Sequence, residues 1–313
     1  DPTVEDRANC IAHVAVVHGV DVSISPSENS GVPCTTLKYT VTVRNTGNVD
    51  DNYLLSWTDN AGWGDNISLS DNWLWVLRCG GENTAELYVH IPTCVRGCTY
   101  DNITVTASCK ENALVKDNAS CIAHVAIFHS VEVSISPSEN TGKPCTTLEY
   151  VITVKNTGNV DDNYLLSWID NSGWGDNISL SKSSLWVTRC GGENTAKLYV
   201  HIPACVLGST MDNITITARL KEDENVKDNA SCLAHVEPFY AVEVTISPSY
   251  QEGFSCENLV YTVTVHNVGT LVDNYVLTVG DNAVPSWNPK LDDNLFESVQ
   301  PCESRTTKLR VHI

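Results

Sequence analysis

The chain has 313 residues, enough for roughly two to three domains of ordinary size, and no run approaches the roughly 18 to 20 consecutive apolar residues that a membrane-spanning helix needs. With 38 acidic residues against 19 basic ones the formal net charge is −19, so a phosphate backbone is repelled and nucleic acid is excluded as a partner. Thirteen cysteines, most at recurring positions, predict a disulfide framework in an oxidising setting, extracellular or on a cell surface.

The chain opens on DPTVEDRANC, with no signal peptide in view. Residues 1–18 match a run that recurs 111 residues later, Cys10 corresponding to Cys121, and read as the final strand of a repeat. VDVSISPSEN then begins at Val20, VEVSISPSEN at Val131 and VEVTISPSY at Val242, a step of 111 from 20 to 131 and again from 131 to 242. A period this long exceeds the roughly 20 to 50 residues of a solenoid and matches a whole sandwich domain of about 100 residues. The expected organisation is a repeat over 19–129, a second over 130–240, and an incomplete one over 241–313 that lacks its last two strands. For these open ends the favoured reading is a window on a longer array. The competing reading has residues 1–18 completing the third repeat of a neighbouring subunit by strand addition, which makes a head-to-tail polymer.

Within a repeat, apolar and polar residues alternate with period 2, the mark of half-buried strands. Val20, Val22 and Ile24 alternate with Asp21, Ser23 and Ser25, and Leu37, Tyr39, Val41 and Val43 alternate with Lys38, Thr40, Thr42 and Arg44. Further runs follow at 53–57, 85–91, 103–107 and 121–127, separated by the turn-forming stretches SPSENSGVP, NTGNVDDN, DNAGWGDN and CGGEN. No segment carries helical periodicity. The fold class is all-β, a row of antiparallel sandwiches.

Cysteines recur at four places: Cys34, Cys145 and Cys256; Cys79, Cys190 and Cys302; Cys94 and Cys205; and Cys10, Cys121 and Cys232. If the strands just named are consecutive and antiparallel, the loop after the first strand and the loop before RCGGENTA share one end, which predicts Cys34–Cys79, Cys145–Cys190 and Cys256–Cys302. Pairing Cys79 with Cys94 would bridge roughly 30 Å along one strand, against a permitted Cα separation of about 7 Å. Cys94–Cys121 and Cys205–Cys232 are left, and Cys10 has no partner. Cys98 and Cys109 occur only in the first full repeat, the second having Ser209 and Leu220 there. Cys109 shares the inward parity of Ile103, Val105 and Ala107 and reads as a buried thiol. Cys10, Cys98 and Cys109 are also the candidates for an intermolecular cross-link, Cys98 the best of them because it sits in a loop.

Asn-x-Ser/Thr sequons stand at Asn66, Asn102, Asn118, Asn177, Asn213 and Asn229, each preceded by Asp, and predict N-linked glycans. Cys10/His13, Cys121/His124 and Cys232/His235 resemble chelating pairs, but residues i and i+3 of a strand face opposite ways. His90, His201 and His312 fall on polar strand faces. Acidic turns such as Asp50-Asp51-Asn52 and Asp161-Asp162-Asn163 offer oxygens to structural calcium or simply serve the turn. Trp57, Trp75, Trp168 and Trp186 read as core. Trp63 and Trp174 lie in Gly-rich turns, packed on the rim or exposed as a platform for sugars. No metal-ligand set and no catalytic constellation emerges, so no enzyme is expected.

The runs VEVSISPS, YTVTVRNTGNVDDNY, DNAGW, DNITVTA and DNASCIAHV together resemble the immunoglobulin-like repeats of large archaeal cell-surface proteins. The resemblance implies tandem immunoglobulin-like sandwiches in a long secreted protein of a surface layer, sheath, stalk or filament, associating with identical subunits or further repeats, without inserting this segment in a membrane. The high cysteine density departs from that pattern and puts weight on covalent cross-linking. The alternative is an adhesin or carbohydrate-binding array attached to a larger secreted protein.

Overall fold

A computed structural model describes residues 5–282 and 287–313; the first four residues of the segment 1–18 lie outside the described residues. The alternation seen in the sequence becomes strands. In the first repeat these are β1 (Val20–Ser25), β2 (Glu28–Gly31), β3 (Thr36–Asn45), β4 (Asp51–Thr58), β5 (Ile67–Leu69), β6 (Trp73–Val76), β7 (Glu82–His90), β8 (Tyr100–Cys109) and β9 (Lys116–Val125). Those of the second repeat are β10 (Val131–Ser136), β11 (Glu139–Gly142), β12 (Thr147–Asn156), β13 (Asp162–Ile169), β14 (Ile178–Leu180), β15 (Ser184–Val187), β16 (Gly192–His201), β17 (Met211–Leu220) and β18 (Lys227–Val236). Residues beyond these form β19 (Val242–Ser247), β20 (Asn258–Asn267), β21 (Asp273–Val276), β22 (Lys290–Leu291), β23 (Leu295–Val299) and β24 (Ser304–His312).

The first repeat is a sandwich of one sheet in the order β1-β3-β7-β5 and another in the order β2-β9-β8-β4-β6. Every pairing is antiparallel except β2 with β9, which is parallel. A first strand that splits between two sheets, with the last two strands beside the third long one, is the immunoglobulin arrangement. The second repeat repeats it as β10-β12-β16-β14 and β11-β18-β17-β13-β15, and the third segment supplies β19-β20-β24-β22 and β21-β23. Residues 5–19 belong to no sheet.

The core follows from parity. Leu37, Tyr39, Val41 and Val43 of β3 and Ile103, Val105, Ala107 and Cys109 of β8 point into one buried cluster, while Lys38 and Thr104 point out. Burying one such aliphatic side chain stabilises by about 1.5–3 kcal/mol. The Tyr39 hydroxyl reaches across to donate to Ile122 O at 2.8 Å, and Tyr150 does the same to Leu233 O at 2.8 Å, so each buried phenol is satisfied. In the third segment the matching face is open: Val242, Val244 and Ile246 of β19 are about half exposed.

By internal contacts the chain separates into two compact units, Asp1–His129 with Thr157–Asp161, and Ser130–Asn156 with Asp162–Ile313. Strands β1 to β9 lie in the first unit and β10 to β24 in the second.

Two short strands change the end-to-end geometry. β5 and β6, which carry Ile67–Leu69 and Trp73–Val76, return the chain along the sandwich before RCGGENTA begins. Cys34 N donates to Ile91 O at one end of β3, and Cys79 N donates to Gly47 O at the other end. Cys34 and Cys79 are therefore separated by the ten residues of β3, about 30 Å at the usual rise. The same holds for Cys145, whose N donates to Ile202 O, and for Cys256, whose N donates to Ile313 O while Cys302 N donates to Asn267 O.

Candidate functional site

The segment joining one repeat to the next is held by a turn that recurs with the period of the sequence. In the first unit, Asn48 N donates to Val17 O (2.9 Å), Asn48 Nδ2 donates to Ala15 O (2.8 Å), and Asn48 Oδ1 accepts from Val17 N (2.8 Å). Thr46 N and the Tyr53 hydroxyl both donate to Gly19 O. The segment runs so close that a Cβ at Gly47 would lie 2.4 Å from Val17 O, so only glycine fits. Asn45 braces the turn from below, its Nδ2 donating to Val49 O and Val76 O and its Oδ1 accepting from Gly47 N.

The turn 157–161, in the same unit, grips residues 126–128 identically. Asn159 N donates to Phe128 O, Asn159 Nδ2 to Ala126 O, and Asn159 Oδ1 accepts from Phe128 N. In the second unit Thr270 replaces asparagine, and one hydroxyl does both jobs: it accepts from Phe239 N (2.9 Å) and donates to Glu237 O (2.9 Å).

A covalent bond joins this second-unit clamp. Cys205, in the turn after β16, is bonded to Cys302, in the turn before β24, with a Cα separation of 5.3 Å. Gly208, three residues after Cys205, donates from its N to Thr270 O, so the disulfide sits at the clamp. This corrects two sequence-based pairings, Cys205–Cys232 and Cys256–Cys302. Cys232 and its counterpart Cys121 are buried thiols on the inner faces of β18 and β9, pushed up to about 12 first by burial and then by Asp212 and Asp101 respectively. Cys121 therefore belongs to the core and not to a loop bridge with Cys94. Cys109 is likewise buried, which removes it from the candidates for a cross-link between molecules. Cys10 and Cys98 are exposed, as are Cys34, Cys79, Cys94, Cys145 and Cys256.

The sequon asparagines lie on outward faces. Asn102, Asn118, Asn213 and Asn229 are exposed strand residues of β8, β9, β17 and β18, and Asn66 and Asn177 end short 3-10 turns, half-buried. On the four strands, alternation turns the preceding aspartate inward, whereas Asp65 and Asp176 in the 3-10 turns are exposed. Asp117 Oδ2 accepts from Val22 N and Asp228 Oδ2 from Val133 N, each at 2.8 Å. Asp101 Oδ1 accepts from Asn60 N and Ala61 N, and Asp212 Oδ1 from Asn171 N and Ser172 N. Burial raises both of these carboxyls above the usual range, the two backbone donors working against it.

Two of the tryptophan assignments are corrected. Trp63 and Trp174 are buried, while Trp75 and Trp186, read from the sequence as core, are 58% and 60% exposed on β6 and β15. Trp57 and Trp168 pack against the core clusters. Cys121 and His124 do face opposite ways, and His90, His201 and His312 hydrogen bond to Thr36, Thr147 and Asn258 on the outer faces. The acidic turn is bound up in protein contacts: Asp50 Oδ1 accepts from Arg78 N, and Asp51 is buried beside His18 and Tyr53.

One constellation was invisible in the spacing. His18 Nδ1 lies 2.9 and 3.0 Å from the two oxygens of Asp51 and 3.7 Å from Cys109 Sγ. The only sequence signal for it was that Cys109 has no cysteine counterpart in the second repeat.

Among the described residues no helix is long and apolar enough to cross a membrane. No family of known sequences matches the chain, and no curated relative does. Among solved structures it is similar to protocadherin gamma B7 extracellular cadherin domains 1–4, at 11% identity and TM-score 0.36, covering 95% of this chain and 68% of that one. It is also similar to the Dpr2 Ig1-Ig2 complex with DIP-Theta Ig1-Ig3, at 8% identity and TM-score 0.28, covering 93% and 89%. A protein of unknown function from Porphyromonas gingivalis W83 is similar at 12% identity and TM-score 0.26, covering 68% and 99%. The immunoglobulin-like sandwich rests on the strand pairing itself.

Proposed function

We propose that this chain is a non-catalytic structural protein of an extracellular surface layer, sheath or filament, built by self-association of disulfide-stabilised, N-glycosylated immunoglobulin-like repeats. The observation that carries this reading is the Cys205–Cys302 disulfide placed at a clamp between two successive repeats. Both bonded cysteines are exposed, outside the buried cluster. The bond restrains the second and third repeats against each other, which matters in a protein that transmits load along its own length. Exposed thiols at recurring turns supply further bonding positions of the same kind. An oxidising, extracellular setting suits such chemistry, and the outward sequons suit it as well. Native material run on non-reducing and reducing gels tests the proposal: species larger than the monomer that collapse on reduction are expected, and a monomer band in both lanes sinks the cross-linked version.

A second reading, an adhesive or carbohydrate-binding array, draws on exposed tryptophans: Trp73 and Trp75 on β6 and Trp186 on β15 all point outward. Glycan binding lost on Trp75→Ala and Trp186→Ala, with unchanged folding, would favour it over the structural reading.

A further inference from the structure

The first repeat carries a buried donor set that its own clamp does not require. His18 comes from the incoming segment, Asp51 from the first residue of β4 and Cys109 from the last residue of β8. Their ligand atoms all lie within 4.8 Å of one another. We propose that these three side chains form a binding site for a divalent transition metal, with zinc the best-fitting ion, and that the metal fastens the incoming segment to the sandwich.

The geometry is close to what the ion asks. Tetrahedral zinc takes nitrogen at about 2.0–2.1 Å, oxygen at about 2.0–2.2 Å and sulfur at about 2.3 Å, which sets ligand-to-ligand edges of roughly 3.3–3.6 Å. The 3.7 Å from His18 Nδ1 to Cys109 Sγ is about 0.1 Å longer than that spacing, the 2.9 Å from Nδ1 to Asp51 Oδ1 needs to open by about 0.4 Å, and with all three atoms within 4.8 Å of one another the remaining edge has at most about 1.2 Å to close. The ligands are positioned beforehand. β4 and β8 are paired with Tyr53 opposite Cys109, which brings Asp51 and Cys109 to the same foot of the sheet. His18 is fixed between Val17 and Gly19, both hydrogen-bonded to the turn. Asp51 and Cys109 are buried, and the His18 side chain keeps 21% of its surface exposed, which leaves a way in for the ion and room for water as a fourth ligand.

The donor types choose the class of ion. One thiolate and one imidazole favour zinc, cobalt, nickel or copper, whereas calcium and magnesium want oxygen alone. Binding releases the Cys109 thiol proton to solvent and leaves the metal on sulfur, Nδ1 and carboxylate.

The plain alternative is that His18 and Asp51 only clamp the segment. The sequence keeps a histidine and an aspartate at the corresponding positions His129 and Asp162, but it places Leu220 where the first repeat has Cys109. The third segment has Tyr240 and Asp273. A clamp therefore does without the thiol, and the thiol is the addition that completes a ligand set.

The test is cobalt and zinc titration of the full chain after its exposed thiols have been alkylated in the native state. The wild type is expected to take up one more equivalent of cobalt than Cys109→Leu, with a thiolate-to-cobalt charge-transfer band and tetrahedral visible bands that zinc abolishes. Zinc should raise the melting temperature of the wild type and leave Cys109→Leu unmoved. Leucine is the residue the second repeat folds around at this position, so the variant should fold; His18→Gln, which keeps the thiol, provides an independent check and should lose the tetrahedral bands. Equal cobalt uptake and equal spectra in wild type and both variants would overturn the site.

Discussion

The first and second repeats share one frame and differ at two informative places. Tyr39 and Tyr150, Tyr53 and Tyr164, and Ile103 and Ile214 are fully buried counterparts. At the foot of β8 the first repeat has Cys109 where β17 has Leu220, both with almost no exposure. A buried cysteine behaves as a small hydrophobe, so the frame accepts either residue and packing alone does not select the thiol. The other difference is Cys98 against Ser209, and both adopt a left-handed backbone, φ 65° and 67°. The turn demands that conformation but not sulfur. Among the described residues, nine of the twelve non-glycine positions with positive φ are cysteines. Such a backbone costs an L-residue about 1–2 kcal/mol, and glycine or asparagine would bear it more easily. Keeping cysteine there points to sulfur chemistry at the turns, of the kind realised by Cys205 and Cys302.

The contrast between repeats can be broken at its joints. Cys302→Ser removes a closure spanning 97 residues, worth about 4–5 kcal/mol on the chain-entropy account. Calorimetry should show the third segment melting well below the second repeat in the variant and closer to it in the wild type. Gly47→Ala comes next. Its Cβ would meet Val17 O at 2.4 Å and Gly19 N at 2.9 Å, forcing the segment off its turn at a cost of about 1–3 kcal/mol. Gly269→Ala, where the nearest atoms stand at 2.8 Å, should cost less, and urea midpoints for the two variants rank them.

A smaller effect separates the repeats by pH. Asp101 and Asp212 have carboxyls raised above 3.8 chiefly by burial, so the folded state holds their protons more tightly than the unfolded one does. Their contribution is fully present below 3.8 and is lost as the pH rises through the raised folded value. Each tenfold change in proton affinity is worth about 1.4 kcal/mol. Asp292 in the third segment runs the other way: its bond to Arg310 lowers it, so its contribution is present above 3.8 and lost as the pH falls through the lowered value. Asp101→Asn and Asp212→Asn should flatten the acid-to-neutral slope of the first two repeats, and Asp292→Asn the opposite slope of the third; equal slopes in all variants would contradict the assignment.

How far the sequence could be read follows from which forces act locally. Strand alternation is a local signal, so β1, β3, β4, β7, β8 and β9 were legible, together with the inward parity of Cys109. β5 and β6 were not, because three- and four-residue strands inside ISLSDNWLWV carry too few residues to show a period. Missing them reversed the end at which Cys79 sits, and every cysteine pairing inherited that error. Trp75 was misplaced for the same reason. The partners of β6 are set by its pairing with β4, which leaves Leu74 and Val76 inside and Trp73 and Trp75 outside. The outward sequons were legible, but the role of the aspartate before each strand sequon was not, since its backbone partner lies up to 95 residues away. The set of His18, Asp51 and Cys109 joins three segments 33 and 58 residues apart, from 18 to 51 and from 51 to 109, and no motif spans that.

The division between core and turn cysteines can be tested directly. Cys121 and Cys232 sit on the inner faces of β9 and β18, and their thiols are pushed up to about 12 from an ordinary 9.0. Only the thiolate attacks an alkylating reagent, so at any pH well below 9 their thiolate fraction is about a thousandfold below that of an ordinary thiol, before burial hinders the reagent as well. Cys34 and Cys145 are exposed in turns, open to the reagent. Native-state labelling with iodoacetamide, followed by unfolding, a second isotopic label and mass spectrometry, should place the first label on Cys34 and Cys145 and the second on Cys121 and Cys232. The same pattern in both repeats would show one frame using the same residue type in two ways. First label on Cys121 or Cys232 at the rate seen for Cys34 would mean that the sandwich opens on the labelling timescale, and the distinction between buried thiol and bonding turn would fail with it.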